Sequence, residues 1–253
     1  MPSDTSNRVG PAEATGGEQA RPKKHPTIIY LLAMCATVGG ALFGYDTGII
    51  NGANLLIKDE FDLTDAWIEH IVSSAVGAAA VFSLVSGVIA DAIGRKTAIM
   101  AAAVVFTIGG FVMGIANGKW MLLIGRITVG AAIGIVSSVV PVYVSECSPA
   151  DIRGRLITLN QLFITLGIWV SAMLAAIFQE LDDGWRYMLG LAAVPGVVQF
   201  LCFLALPESP RWQVMKNKIP KAKKTLMQIR ATSDVNEELE RIVQSLEEEK
   251  KTK

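Results

Sequence analysis

The sequence contains little charge, and the charges it has leave long stretches free of any. Aspartate, glutamate, lysine and arginine make up 18% of the 253 residues, where soluble domains carry roughly a quarter. Hydrophobic residues make up 51%, and several apolar runs approach the roughly 20 residues that span a hydrocarbon core. These proportions exclude an ordinary soluble domain and predict a polytopic membrane protein.

Residues that build catalytic or metal centres are also scarce. His25 and His70 are the only histidines, and neither belongs to a nucleophile or metal-ligand pattern. Cys35, Cys147 and Cys202 are odd in number and lack paired spacing, so they form neither a disulfide framework nor a zinc site. The net charge is zero, without the basic excess typical of nucleic-acid-binding proteins. We therefore expect no enzyme, no cofactor, no metal and no nucleic-acid partner.

The apolar runs predict an all-α membrane protein with six transmembrane helices, because lipid offers the backbone no other hydrogen-bond partner. The predicted spans are Ile28–Ile57, Ile68–Ala90, Thr97–Ala116, Met121–Val144, Leu156–Phe178 and Tyr187–Leu206. We expect a disordered cytoplasmic tail over 1–26, where large apolar residues are almost absent. The spans form the predicted six-helix bundle over 27–206, and a cytoplasmic helical segment follows over 207–253.

The distribution of lysine and arginine predicts the orientation. With a cytoplasmic amino terminus, the inner segments hold nineteen of these residues, and the outer loops hold only Lys58, Lys119 and Arg186. The positive-inside rule then places both termini in the cytoplasm. We expect a multi-pass protein of the plasma membrane, with the lipid bilayer as its surroundings.

The most specific motif lies between the second and third spans. It reads Gly-x-x-x-Asp-x-x-Gly-Arg-Lys and comprises Gly87, Asp91, Gly94, Arg95 and Lys96. Gly87 would allow close helix approach, and Gly94 would permit a tight turn. Arg95 and Lys96 favour the cytoplasmic side, where Asp91 can pair with a base. Placed between two spans, this motif resembles the signature loop of the major facilitator superfamily.

Further motifs resemble the first half of the sugar porter family. They are Gly125-Arg126-x-x-x-Gly130, the runs from Pro141 to Glu146 and from Ser148 to Arg155, Gly184-Trp185-Arg186, and the run from Pro207 to Trp212. Thr128 departs from the family, where a large aliphatic residue is more frequent. The resemblance covers residues 28–248, and its motifs look closest to those of proton-coupled myo-inositol transporters. It implies the amino-terminal half of such a transporter.

The resemblance also implies a cytoplasmic charge network that holds the two six-helix halves together in the outward-facing state. Its members would be Asp91, Arg95, Glu146, Arg153, Glu208 and Arg211. Acids and bases at the inner ends of spans are compatible with this role, since a partly buried network can bias a two-state equilibrium. Charges that only determine topology are the alternative.

Asp46 lies within the first span, and Arg126 lies at or inside the outer start of the fourth. A charge at bilayer depth costs roughly 2.5–3.5 kcal/mol on insertion scales, so it normally faces a cavity or a partner. Burial favours the protonated carboxyl and a nearby guanidinium favours the ionised one, so a change in their separation would change proton affinity. We predict a proton-coupling pair, with a static ion pair as the alternative. Proton-coupled sugar porters carry Asp at this place, where facilitative glucose carriers generally carry Asn.

The fifth span supplies the predicted recognition face for a sugar or polyol. Gln161 and Thr165 follow helical spacing, and the Gln amide offers donors and an acceptor to ring hydroxyls. The resemblance implies substrate contact for Gln161, and Phe43 and Asn51 of the first span are expected to line the same cavity.

The sequence therefore predicts half of a proton symporter for myo-inositol or a hexose, with a second six-helix half as partner. Two alternatives stay open: a facilitative hexose uniporter half, and a truncated regulatory or assembly protein that does not transport. The sequence leaves open the substrate, the oligomeric state and whether the chain is a fragment, because the expected second half holds most substrate determinants.

Overall fold

The computed structural model describes residues 27–149, 151–232 and 234–252, and within these residues it contains helices and no strand. The helices are α1 (Thr27–Glu60), α2 (Asp65–Ile93), α3 (Arg95–Gly114), α4 (Lys119–Cys147), α5 (Arg153–Phe178), α6 (Gly184–Leu191), α7 (Ala193–Leu204), α8 (Pro210–Met215), α9 (Ile219–Arg230) and α10 (Asn236–Thr252). The tail predicted over 1–26 lies outside the described residues.

Six segments of the described chain are long and apolar enough to cross a membrane, as predicted. Five of them are the single helices α1 to α5, and the sixth runs over Gly184–Leu204 as α6 followed by α7. Pro195 explains this division. Its ring lacks an N–H and crowds the carbonyl of Leu191 one turn earlier, so the helix is interrupted at Ala192.

The spans pack into one bundle in which α4 is the central helix. It contacts both α2 and α3 extensively, while α1 packs along α5, and α3 packs against α6 and α7. In the most apolar window of each helix, 61% of α4 is buried but only 11% of α2 and 17% of α5. The bundle therefore leaves large apolar faces of α2 and α5 uncovered, as expected for a protein surrounded by lipid or by further membrane helices.

Glycines allow the closest helix contacts. A Cβ at Gly130 of α4 would lie 2.2 Å from the Ala75 carbonyl oxygen of α2, and a Cβ at Gly44 of α1 would lie 2.0 Å from the Ile164 carbonyl oxygen of α5. Such small-residue contacts are typical of membrane helices. Gly87 does not serve such a contact within this bundle, because nothing in the described chain lies within 4 Å of the position of its Cβ.

The last three helices follow the sixth span as a small separate cluster. Pro210 begins α8, and the preceding Ser209 caps it by accepting a hydrogen bond from the Trp212 amide. Val214, Ala222 and Leu246 from α8, α9 and α10 form an apolar core of their own. Arg230 attaches this cluster to the bundle by donating to the Cys147 carbonyl oxygen at the end of α4, 2.9 Å away.

Candidate substrate and proton site

A buried ion pair joins the first and fourth spans. Arg126 Nη1 on α4 lies 2.7 Å from Asp46 Oδ1 on α1, and their side chains are only 3% and 4% exposed. Arg126 Nε has no hydrogen-bond partner among the described residues. Two charges at this depth stabilise each other, and separating them would leave each charge costly in a poorly hydrated environment.

The ion pair opens onto a cavity of about 540 Å³ between α1, α2 and α4. Phe43 and Asn51, both predicted as substrate residues, line this cavity together with Asp46 and Arg126. Ser83 and Ser137 add hydroxyl groups to its wall. A volume of this order suits a small polar molecule beside the charged pair.

A second cavity of about 380 Å³ adjoins the first, since Phe43 and Ser137 line both. Gln161 lines this second cavity, as does its neighbour Asn160. Asn160 Oδ1 is buried without a hydrogen-bond partner among the described residues. The larger cavity thus combines the Asp46–Arg126 pair with the Asn51 amide, and the smaller one adds the amides of Asn160 and Gln161.

Thr165 lines neither of these two cavities. Its hydroxyl donates to the Gln161 carbonyl oxygen of its own helix, 3.3 Å away. Helical spacing placed Gln161 and Thr165 on similar faces of α5, but the rotation of α5 brings only Gln161 to a cavity. Sequence reasoning also missed Asn160 and Ser137, although Asn160 stands beside Gln161 in the sequence.

Part of the predicted charge network connects the ends of α2, α3 and α4. Arg95 Nη1 lies 2.7 Å from Asp91 Oδ1, and Arg95 Nε lies 3.1 Å from Glu146 Oε2. The side chains of Arg95 and Glu146 are 10% and 7% exposed. Ser209, which precedes α8, donates its hydroxyl to the same Glu146 carboxylate. The network therefore also reaches the segment after the sixth span.

Glu208 joins the network through backbone groups. Its Oε1 accepts hydrogen bonds from the Lys96 amide at 3.0 Å and from the Ser209 amide at 2.8 Å. Gly94 has φ +106°, and a Cβ there would lie 2.3 Å from Glu208 Oε2. The turn predicted at Gly94 thus needs glycine for its backbone angle and for the approach of Glu208.

Two predicted members lie outside this network. Arg211 pairs instead with Glu249 of α10, and Arg153 is exposed with no ion pair to any described residue. Sequence reasoning missed Lys96, whose Nζ donates to the Leu204 and Leu206 carbonyl oxygens at 3.0 and 2.6 Å. It also missed Tyr143, whose hydroxyl donates to the Pro207 carbonyl oxygen at 2.6 Å.

Six apolar spans pack around a buried ion pair and two cavities, and they define a multi-pass integral membrane protein. A sequence profile described as "Sugar (and other) transporter" matches residues 32–253. The chain belongs to this family, which consists of transporters and not of enzymes.

Curated relatives support this assignment. The chain is 47% identical over 244 residues to the proton myo-inositol cotransporter of Homo sapiens, covering 96% of this chain and 38% of that protein. It is 45% identical over 225 residues to inositol transporter 4 of Arabidopsis thaliana, covering 88% of this chain and 39% of that protein. The chain thus spans well under half the length of these relatives.

Solved structures show the same fold. The major facilitator superfamily proton:xylose symporter XylE bound to 6-bromo-6-deoxy-D-glucose superposes with a TM-score of 0.84 at 27% identity, over 90% of this chain and 55% of that one. A partially occluded inward open conformation of XylE from E. coli gives a TM-score of 0.81 at 27% identity, over 87% of this chain and 60% of that one. These matches confirm the predicted superfamily and the all-α membrane fold.

Proposed function

We propose that this chain forms one six-helix half of a proton-coupled symporter for a cyclic polyol or sugar, with myo-inositol as the first candidate substrate. A second six-helix half would supply the opposing wall of the two cavities. The uncovered faces of α2 and α5 support such a partner, and so does the general architecture of transporters in which two bundles rock around a midplane site.

The observation that carries the proposal is the Asp46–Arg126 pair on the wall of the larger cavity. Moving the carboxylate away from the guanidinium in a poorly hydrated site would make its charge costly, and binding a proton would remove that charge. A movement of α1 relative to α4 would therefore exchange a proton at Asp46. Because both residues line the cavity, substrate binding there can bias the same movement.

Gln161, Phe43 and Asn51 are the proposed substrate residues. The Gln161 amide can donate to one ring hydroxyl and accept from its neighbour, and Asn51 offers the same groups in the larger cavity. Asn160, with its unpartnered Oδ1, joins this set. The names of the relatives, an inositol transporter and a proton myo-inositol cotransporter, support a cyclic polyol.

We further propose that both termini lie in the cytoplasm and that the protein resides in the plasma membrane. The excess of lysine and arginine at the ends and at the Gly94 and Arg153 loops supports this orientation. A cysteine introduced at Asp62, which follows α1, should react with a membrane-impermeant thiol reagent added to intact cells. A cysteine introduced at Asn217, between α8 and α9, should react only after permeabilisation.

Transport is tested with the full protein encoded by the open reading frame that contains residues 1–253. Purified and reconstituted into vesicles, it should accumulate radiolabelled myo-inositol above the external concentration when an inward proton gradient is imposed. A protonophore should abolish the accumulation. Uptake that only equilibrates, at the same rate with and without the gradient, would establish a uniporter instead. The 253-residue chain reconstituted alone should give no uptake.

A further inference from the structure

Five lysines crowd the turn between α8 and α9. They are Lys216, Lys218, Lys221, Lys223 and Lys224, and residues 210–232 contain no aspartate or glutamate. Four of the five are exposed, and Lys223 is half-buried. The buried residues of α9, among them Ala222 and Ile229, pack against α8, α10 and the transmembrane bundle. Lys221 and Lys224 lie on the exposed side of α9, and Lys216 and Lys218 are exposed in the turn before it.

These lysines differ from the neighbouring arginines in having no acidic partner in the part of the chain that the structure describes. Arg211, Arg230 and Arg241 pair with Glu249, Glu238 and Glu237 of α10, respectively. Within the described ranges, by contrast, none of the five lysines lies within 4.0 Å of a carboxylate. The acidic α10 thus neutralises the arginines and leaves a separate patch of uncompensated positive charge.

Trp212 places this patch at the boundary of the membrane-spanning bundle. Its Nε1 donates to the Asp91 carbonyl oxygen in the last turn of α2, at 3.0 Å. Lys218 Nζ lies 5.1 Å from the centre of the Trp212 ring, and Lys216 Nζ lies 6.0 Å from it. Tryptophan with a polar partner is typical of the interface between hydrocarbon and water. The two ammonium groups therefore lie beside the end of α2, one of the six candidate spans.

We propose that this lysine patch binds anionic phospholipid headgroups in the leaflet on the Gly94 side of the membrane. Clusters of four to eight basic residues directly beside a transmembrane helix attract acidic lipids, by about 1 kcal/mol per residue. The ammonium groups donate to the phosphate oxygens, while the lysine stems and the partly exposed Met227 contact the upper acyl region. The headgroups neutralise the charge that α10 leaves unpaired. The site would hold the α8–α9 turn against the membrane surface.

Native mass spectrometry of the 253-residue chain in neutral detergent tests this proposal. The chain is titrated with phosphatidylserine and, in parallel, with phosphatidylcholine. We expect tighter binding of phosphatidylserine. The double variant Lys216→Gln/Lys218→Gln should weaken phosphatidylserine binding by about thirtyfold, from about 1 kcal/mol per lysine, without changing phosphatidylcholine binding. Lys221→Gln/Lys224→Gln, which leaves the Trp212 contacts intact, should show a loss of the same size.

The matched control is Lys119→Gln/Arg241→Gln. It removes the same net charge, including a lysine that lies 4.4 Å from the Trp67 ring at the opposite end of the bundle. This control should bind phosphatidylserine like the unchanged chain. Equal loss in the control, or no loss in either lysine variant, would overturn the proposal. Displacement of the lipid by an equal concentration of inorganic phosphate would also overturn it, because the patch would then bind free anions and not membrane headgroups.

Discussion

Asp46 and Arg126 lie 80 residues apart in sequence and 2.7 Å apart in space, in contact between the first and fourth spans. Replacing Asp46 with Asn keeps the size of the side chain and removes its ability to exchange a proton. We expect Asp46→Asn in the intact transporter to abolish proton-driven accumulation of substrate while sparing exchange of labelled for unlabelled substrate. Uptake and exchange assays in vesicles measure the two activities separately.

The matched control is Asp59→Asn, which alters an exposed acid on the same helix. It should retain both accumulation and exchange. Undiminished uphill uptake by Asp46→Asn would show that protons couple elsewhere in the protein.

Substitution of Gln161 should raise the KM for substrate much more than substitution of Thr165. Gln161→Leu removes amide groups that line the smaller cavity, and the loss of about 1–1.5 kcal/mol should raise KM about tenfold. Thr165→Val should leave KM nearly unchanged, because that hydroxyl bonds to its own helix. Initial-rate uptake over a range of substrate concentrations gives both values. A larger effect for Thr165→Val than for Gln161→Leu would contradict the arrangement of the cavity.

Two glycines should respond in opposite ways to the same substitution. Gly130→Ala places a Cβ 2.2 Å from the Ala75 carbonyl oxygen, and forced separation of α2 and α4 should lower the free energy of unfolding by about 1–3 kcal/mol. Gly87→Ala meets open space in the chain and should raise that free energy by about 0.5–1 kcal/mol. Unfolding by sodium dodecyl sulfate in mixed micelles compares the variants. Equal effects at the two positions would argue against the packing of α2 on α4.

Glu146 should contribute far more to stability than an exposed acid in a similar ion pair. Glu146→Gln leaves the nearly buried Arg95 with only the more exposed Asp91 as a counter-charge, and it should lower the free energy of unfolding by about 2 kcal/mol. Glu237→Gln breaks the exposed pair with Arg241, which solvent already screens, and should change little. The same mixed-micelle titration measures both. A loss for Glu237→Gln as large as that for Glu146→Gln would contradict a buried network.

The sequence predicted features that follow from the cost of placing polar groups in lipid. Asp46 and Arg126 were expected to form an ion pair, because a single unpaired charge inside a membrane span is energetically costly. The six spans followed from length and hydropathy, and the Gly94 turn followed from its glycine. The break of the sixth span at Ala192 was missed, although Pro195 in the middle of a predicted span signals it.

Other features depend on how helices are rotated and docked, which local patterns do not encode. The partner of Arg211 depends on the direction in which α10 lies across α8. The absence of Thr165 from the cavities depends on the rotation of α5 about its axis. Glu208 could be expected in a network of side chains, but its actual partners are backbone amides that only the folded turn presents.

One helix carries both charged clusters. Arg126 and Glu146 both belong to α4, and their separation of 20 positions corresponds to about 30 Å of helix. Because both residues lie on one helix, a rotation of α4 at Glu146 would also rotate Arg126 about the helix axis. Pro141 lies between the two ends and lacks the N–H for one backbone hydrogen bond, so α4 is expected to bend most easily there. Bending of α4 at Pro141 would therefore change how far a displacement at Glu146 moves Arg126.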